Sequence, residues 1–361
     1  MEIESRKLIF DGLYILIMKI LISGIEGYLG SVMSGVLQER GHTLKGIDTG
    51  FFRESLLISP VYQPPVIHTD TRNVSVSQLQ GYDAVIHLAD LSNDPLGMID
   101  EKVTREINYT GAVDFARKAK KAGVKRYIFG SSCSIYGTQS EELANEESET
   151  NPQTMYAQCK LDVEKELLKL ADTSFTPVIL RCATIYGVSP RMRFDLVINK
   201  LVGDAYLYNK ISLDNGGKQW RPVVHILDVS QAFACAVEAP KNKVHKEIFN
   251  VGSRNGNYLV SDFGAMIKEE FPNCVIRVNA SNNDTRSYKV SFEKIHRLLP
   301  GFSSRHDVRS GIKELHKKYK EIGLTKDLFN SYHFTRLKQI QHLLKSQLID
   351  NNFHWKFTEK K

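Results

Sequence analysis

Gly24-Ile25-Glu26-Gly27-Tyr28-Leu29-Gly30 follows directly on an apolar run, and Tyr156-Ala157-Gln158-Cys159-Lys160 lies about 130 residues downstream. Glycines between a strand and a helix permit a tight turn and let a diphosphate approach backbone N–H groups at the helix N-terminus. In the second segment a phenol and an ammonium at i and i+4 share one helix face. A free tyrosine, with a pKa near ~10, is too weak a base for neutral pH. A neighbouring lysine and a cationic nicotinamide both favour the phenolate and make it a usable proton acceptor. Ser132, just past an apolar strand, is placed to hydrogen-bond the reacting oxygen. In this order the three features predict an enzyme that moves hydride between a nicotinamide and a sugar-like alcohol.

These groups need a scaffold, and the chain alternates strand and helix patterns through its first half. Strands are predicted at Lys19 to Ser23, Leu44 to Asp48, Val66 to Asp70, Asp83 to Ala89 and Arg126 to Phe129. Helices are predicted from Tyr28 to Arg40 and from Ile99 to Ala122. Continuous β-branched and apolar strands between helices describe an α/β, doubly wound parallel (Rossmann) sheet. A smaller α/β substrate-binding domain and a C-terminal helical tail complete the expected fold. The expected division is 18–188 with 223–250 for the NAD-binding domain and 189–222 with 251–323 for the substrate domain. A basic helical tail over 324–361 and an N-terminal extension over 1–17 remain. Asp48 ends the second strand, where a carboxylate accepts hydrogen bonds from the adenosine ribose hydroxyls and repels a 2′-phosphate. NAD is therefore expected over NADP, although Arg53 lies close enough to soften the preference. Asp70 and Thr71 close the third strand and are expected to hold the adenine edge.

Bulk composition narrows the class. The chain has 361 residues, 42% apolar and 25% charged, as in ordinary globular proteins. The net charge of +7 hints at nucleic acid until it is located: Gly311 to Lys361 carries +6 and the rest only +1. A solvated helical face is the expected reading, with no nucleic-acid partner. Leu13 to Ser23 is too short and too charged to span a membrane. The five cysteines are odd in number and form no CxxC, so a reduced, cytoplasmic protein is expected. No metal-site spacing occurs among the eleven histidines.

Eight segments in order resemble the extended short-chain dehydrogenase/reductase family, the nucleotide-sugar epimerases and dehydratases. They are GxxGxxG at Gly24 to Gly30, VIHLA at Val85 to Ala89, Asn108 in INYTGA, SSCSIYG at Ser131 to Gly137, YAQCK, LRCATIYG at Leu180 to Gly187, RPVVHILD at Arg221 to Asp228, and FNVG at Phe249 to Gly252. The resemblance covers Met18 to Gly323. It implies that Ser132, Tyr156 and Lys160 are catalytic. It implies that Gly24, Gly27, Tyr28, Leu29, Gly30, Asp48, Asp70, Thr71, Leu88, Ala89 and Asn108, with Tyr156 and Lys160, line the cofactor. Arg221 and Arg286 would hold a substrate diphosphate, with Ser132 and Thr184 at the sugar and Arg191 and Arg193 as further donors. It also implies a homodimer.

Departures from the family pattern bear on the reaction. Dehydratases carry an acidic pair directly after the catalytic Ser/Thr, where this chain has Cys133 and Ser134, so 4,6-dehydration is not expected. Sugar 4-epimerases often carry asparagine at the position of Thr184. Asp94, in LSNDPLG, either faces the sugar or shapes a turn. An epimerase acting through a 4-keto sugar is the expected function. A 4-ketoreductase or dehydrogenase using the same residues is the rival, and a non-catalytic nucleotide-binding protein is the reading from another class.

Overall fold

The computed structural model describes residues 7–10, 13–92, 94–138, 143–279 and 286–356. Its centre is a seven-stranded parallel sheet of β1 (Lys19–Ser23), β2 (Thr43–Asp48), β3 (Val66–His68), β4 (Ala84–His87), β5 (Arg126–Ser132), β6 (Thr176–Cys182) and β7 (Ile248–Val251). The spatial order is β7-β6-β5-β4-β1-β2-β3, so the chain reverses its direction of travel between β1 and β4. Ligands bind at such a switch point, outside the carboxyl ends of the strands. Alternation along each strand divides the core. Ile20, Ile22, Ile86, Ile128 and Val178 point to one face, where α1 (Gly30–Glu39) and the helix Ile226–Glu238 pack. Leu21, Val85, Tyr127, Phe129 and Ile179 point to the other, against the helices Ala112–Lys121 and Met155–Leu170. Both faces are covered, which is why these strands read as continuous apolar runs.

Most boundaries differ from expectation by a residue or two, and two of the differences matter for the site. β5 extends to Ser132, making that serine the last residue of the strand. β3 stops at His68, because Asp70 leaves the sheet to cap the short turn Thr71–Asn73. The predicted long helix after β4 exists, but Glu106–Gly111 winds as a π-helical turn around Asn108. Such turns widen a helix locally and are frequent at functional sites.

Beyond β6 the elements are shorter. Thr184–Tyr186 pairs in parallel with Trp220–His225, which pairs antiparallel with Asn257–Leu259. A second core gathers around Phe194, Ile198, Phe263, Ile312 and Phe334. The C-terminal segment forms α-helices over Val308–Glu321, Lys326–Asn330 and Arg336–Lys345, with a 3-10 turn at Tyr332–Phe334, and an antiparallel bridge joins Ile349 to Trp355. It packs on its own chain: Ile340, Leu343, Ile349 and Phe353 are buried against Phe51, Leu91, Leu96 and Val103. At the other end, Lys7–Phe10 and Leu13–Leu16 pair antiparallel. Among the described residues no helix is long and apolar enough to cross a membrane, and all five cysteines are free and buried.

Candidate active site

A cleft of about 600 Å³ runs along the carboxyl ends of the strands, from Asp48 and Asp70, past the Gly24–Gly30 loop, to Tyr156, Arg221 and Arg286. The glycine loop is built for close approach. Gly24 has φ +75°, and a Cβ there would meet the backbone of Leu88 and Ala89 at 2.8 Å. A Cβ on Gly30 would lie 2.6 Å from the Gly24 carbonyl oxygen. Only glycines let the loop close this tightly against the chain after β4 and the start of α1, whose free amides suit a diphosphate. The cleft thus fits a dinucleotide.

Asp48 lines the end of the cleft expected to take the adenosine, with its carboxylate already receiving the amides of Glu26 (2.9 Å) and Gly50 (2.9 Å). Burial, with Glu26 nearby, raises its pKa. Glu26, which sequence reasoning passed over, adds a second buried carboxylate, paired with Arg191 at 3.2 Å. Asp70 and Thr71 also line the cleft, but the Asp70 carboxylate is committed to Arg72, with contacts of 2.7 and 3.0 Å. Asn108, expected in the wall, lies behind it, fully buried. It exchanges hydrogen bonds with the backbone of Leu91, accepting from N at 2.8 Å and donating to O at 3.2 Å. It therefore shapes the cleft by fixing the loop after β4. Tyr28 contributes backbone to the glycine loop while its hydroxyl donates to the Gly187 carbonyl at 2.7 Å, tying that loop to the far wall. Leu29, Leu88 and Ala89 line the cleft as expected.

Ser132, Tyr156 and Lys160 meet at the centre. Thr154 caps the helix Met155–Leu170, its hydroxyl accepting from the Ala157 amide at 3.2 Å, so Tyr156 sits in the first turn and Lys160 one turn on. The electrostatics depart from the simple pairing of phenol and ammonium. Lys160 is 3% exposed and donates to the Asp90 carboxylate and the Gly130 carbonyl. Its Nζ is 5.7 Å from the Tyr156 ring centroid. Tyr156 is held well above the ordinary tyrosine pKa, first by burial and then by the carboxylates of Asp90 and Asp94, with a Ser132 hydrogen bond opposing them. Lys160 thus spends its charge on Asp90. Asp90 follows the VIHLA segment immediately, and its position there was the only signal for it.

At the sugar end, Thr184, Ser134, Arg221 and Arg286 line the cleft. Arg286 is paired with Asp94, whose other oxygen accepts from the Thr154 hydroxyl. Arg221 donates to the carbonyls of Trp220 (3.0 Å) and Arg286. Cys133 points into the core, its thiol donating to the Arg181 carbonyl at 3.1 Å, and burial raises its pKa well above the ordinary thiol value. Arg193 reaches the cleft chelated by Asp195 at 2.9 and 3.0 Å, whereas Arg191 is a strut between Glu26 and the carbonyls of Phe52 and Arg53. No group of His, Cys, Asp and Glu among the described residues is arranged to hold a metal.

Residues 20–252 match the model of the NAD dependent epimerase/dehydratase family. The chain belongs to that family. Curated relatives include the UDP-glucose 4-epimerase of Corynebacterium glutamicum, 27% identical over 70% of this chain and 80% of that one. Human dTDP-D-glucose 4,6-dehydratase is 26% identical over 66% of this chain and 69% of its own. The fold matches that of UDP-glucuronic acid 4-epimerase from Bacillus cereus, solved with UDP-glucuronic acid and NAD. That match has a TM-score of 0.73 and 23% identity, covering 84% of this chain and 100% of the other. The family is NAD-dependent, and NAD is the cofactor the glycine cradle and Asp48 suit.

Proposed function

We propose that this chain is an NAD-dependent nucleotide-sugar epimerase acting through a 4-keto intermediate. The observation that carries the reading is the convergence of Ser132, Tyr156 and Lys160 on one cleft in which the residue after Ser132 is turned away from the sugar. Elimination of a C6 hydroxyl needs an acid beside the sugar; the buried Cys133 thiol bonded to a carbonyl cannot supply it, and the Asp94 carboxylate is held by Arg286 and the Thr154 hydroxyl. When bound, NAD supplies the acceptor and donor of hydride and a positive ring that opposes Asp90 and Asp94 at the Tyr156 oxygen. Tyr156 accepts the proton of the C4 hydroxyl and returns it to the keto oxygen, and Ser132 hydrogen-bonds that oxygen in both directions. Arg221 and Arg286 orient the nucleotide diphosphate by charge-assisted hydrogen bonds. Gly24, Gly27, Gly30, Asp48, Asp70, Thr71, Leu88 and Ala89 form the cofactor side, and Thr184 and Ser134 face the sugar.

The stoichiometry of turnover tests this. Purified protein given UDP-glucose, UDP-glucuronic acid or dTDP-glucose without added NAD(H) should interconvert C4 epimers, read by chromatography and mass spectrometry. A steady change in NADH absorbance proportional to product would replace epimerisation with net 4-ketoreduction or dehydrogenation. A product lighter by one water would restore dehydration.

A further inference from the structure

We infer that Arg336, carried by the C-terminal segment, is a cofactor-binding residue that contacts the diphosphate of the bound dinucleotide. The family match ends at residue 252, so Arg336 lies far outside it. Yet it lines the same cleft as the Gly24–Gly30 loop and is 1% exposed. Its guanidinium lies over the Phe52 ring at 4.1 Å, and Nη1 reaches the Ser55 hydroxyl at 3.4 Å. Its Nη2 has no hydrogen-bond partner among the described residues. The two arginines around it are satisfied, Arg191 by Glu26 and Arg193 by Asp195, whereas Arg336 touches Asp195 only through its backbone amide at 3.4 Å. Burial and the charge of Arg193 lower its pKa to about 9, only partly offset by the carboxylates of Asp195 and Asp48. A desolvated guanidinium with spare donors is costly to keep, and an anion arriving in the cleft removes that cost.

The segment is fixed to deliver it. Gln339 donates to the Phe51 carbonyl at 2.9 Å, Trp355 to the Thr49 carbonyl at 2.7 Å, and Arg72 reaches the Asn352 carbonyl at 3.0 Å. Phosphate oxygens are the anions a dinucleotide brings, either in its bridge or as a 2′-phosphate. The carboxylate of Asp48 stands in the cleft lining at the ribose end and opposes the latter, which favours the bridge. The inference rests on NAD occupying this cleft and not on which sugar reaction follows.

Calorimetric titration of the full-length protein, freed of bound nucleotide, with NAD, NADP and adenosine provides the test, together with the melting temperature of the unliganded protein. Arg336→Gln should weaken NAD roughly ten- to a hundred-fold, as expected for a charge-assisted hydrogen bond to phosphate. Adenosine affinity should be unchanged and the unliganded melting temperature should not fall. Arg336→Lys should recover part of the loss. Unchanged NAD affinity overturns the assignment, as does a loss confined to NADP. An equal loss for adenosine, with a lower melting temperature, would make the residue structural. Wild-type protein that binds no NAD would instead remove the cofactor reading, and this inference with it.

Discussion

Asp90→Asn separates two roles that the buried Lys160–Asp90 pair combines. In the wild-type cleft the Asp90 carboxylate neutralises Lys160 and also opposes the Tyr156 phenolate. Removing its charge leaves the ammonium 5.7 Å from the phenol ring. Their attraction is present in wild type too; what the substitution removes is the opposing Asp90–phenolate repulsion, and at an effective dielectric constant near 20 two unit charges roughly 6 Å apart interact by about 3 kcal/mol, or ~2 pH units, which bounds the shift. The sign follows directly: a lower Tyr156 pKa brings the phenolate in at lower pH. The rising limb of the pH–kcat profile should therefore move down by about 1–2 pH units. The same change strands a buried cation, which costs roughly 3–5 kcal/mol when one partner of such a pair is removed. The variant should therefore melt earlier while holding more of its Tyr156 as phenolate at neutral pH. Stopped-flow turnover from pH 5.5 to 9.5, on protein whose near-UV circular dichroism matches wild type, gives the measurement. A folded Asp90→Asn enzyme with an unmoved pH limb would refute the claim that Asp90 sets the charge felt by Tyr156.

Three further outcomes are expected. Tyr156→Phe should lower kcat by roughly 10²–10⁴ while NAD affinity, read by calorimetry, stays within about two-fold, because only the proton-transfer group is lost. Gly24→Ala should abolish NAD binding and depress the melting temperature, since its Cβ would press on the backbone of Leu88 and Ala89 at 2.8 Å in a φ of +75°. The His306 pKa is raised, chiefly by its hydrogen bond to Asp228, so this pair adds stability that is full below the unfolded histidine pKa and fades as pH rises through the folded value. Urea midpoints measured from pH 5.5 to 8.5 should show that decline in wild type, and Asp228→Asn should flatten it.

Much of this fold is legible in the sequence because its central strands obey one rule. A parallel sheet covered on both faces makes Ile20 to Ile22 and Ala84 to Ile86 uniformly apolar, and the glycine spacing after β1 reports a steric demand that only glycine meets. Tyr156 and Lys160 were legible because helical periodicity puts i and i+4 on one face. Their partners were not. Local spacing says where a side chain starts but not which charge from another strand meets it, and Asp90 comes to Lys160 across 70 residues. Asn108, which the resemblance places along the cofactor, lies behind the wall because a π-helical turn directs it onto Leu91, and that turn leaves no mark in the hydrophobic pattern.

The C-terminal segment shows a different limit. Its surplus of basic residues reads as a solvated helical face, and average charge from Gly311 to Lys361 hides the one arginine there, which is not solvated. Arg336 is distinguished only by where Phe51, Phe52 and Leu91, far away in sequence, place the apolar bed for Ile340 and Leu343. That bed is made from the loops after β2 and β4, the two strands flanking β1. A segment docked there is forced over the switch point of the sheet, the place where an open parallel sheet binds its ligand. The position of the tail is thus a consequence of the apolar strand-end loops, and its reach into the cofactor cleft follows from the topology that made the cleft.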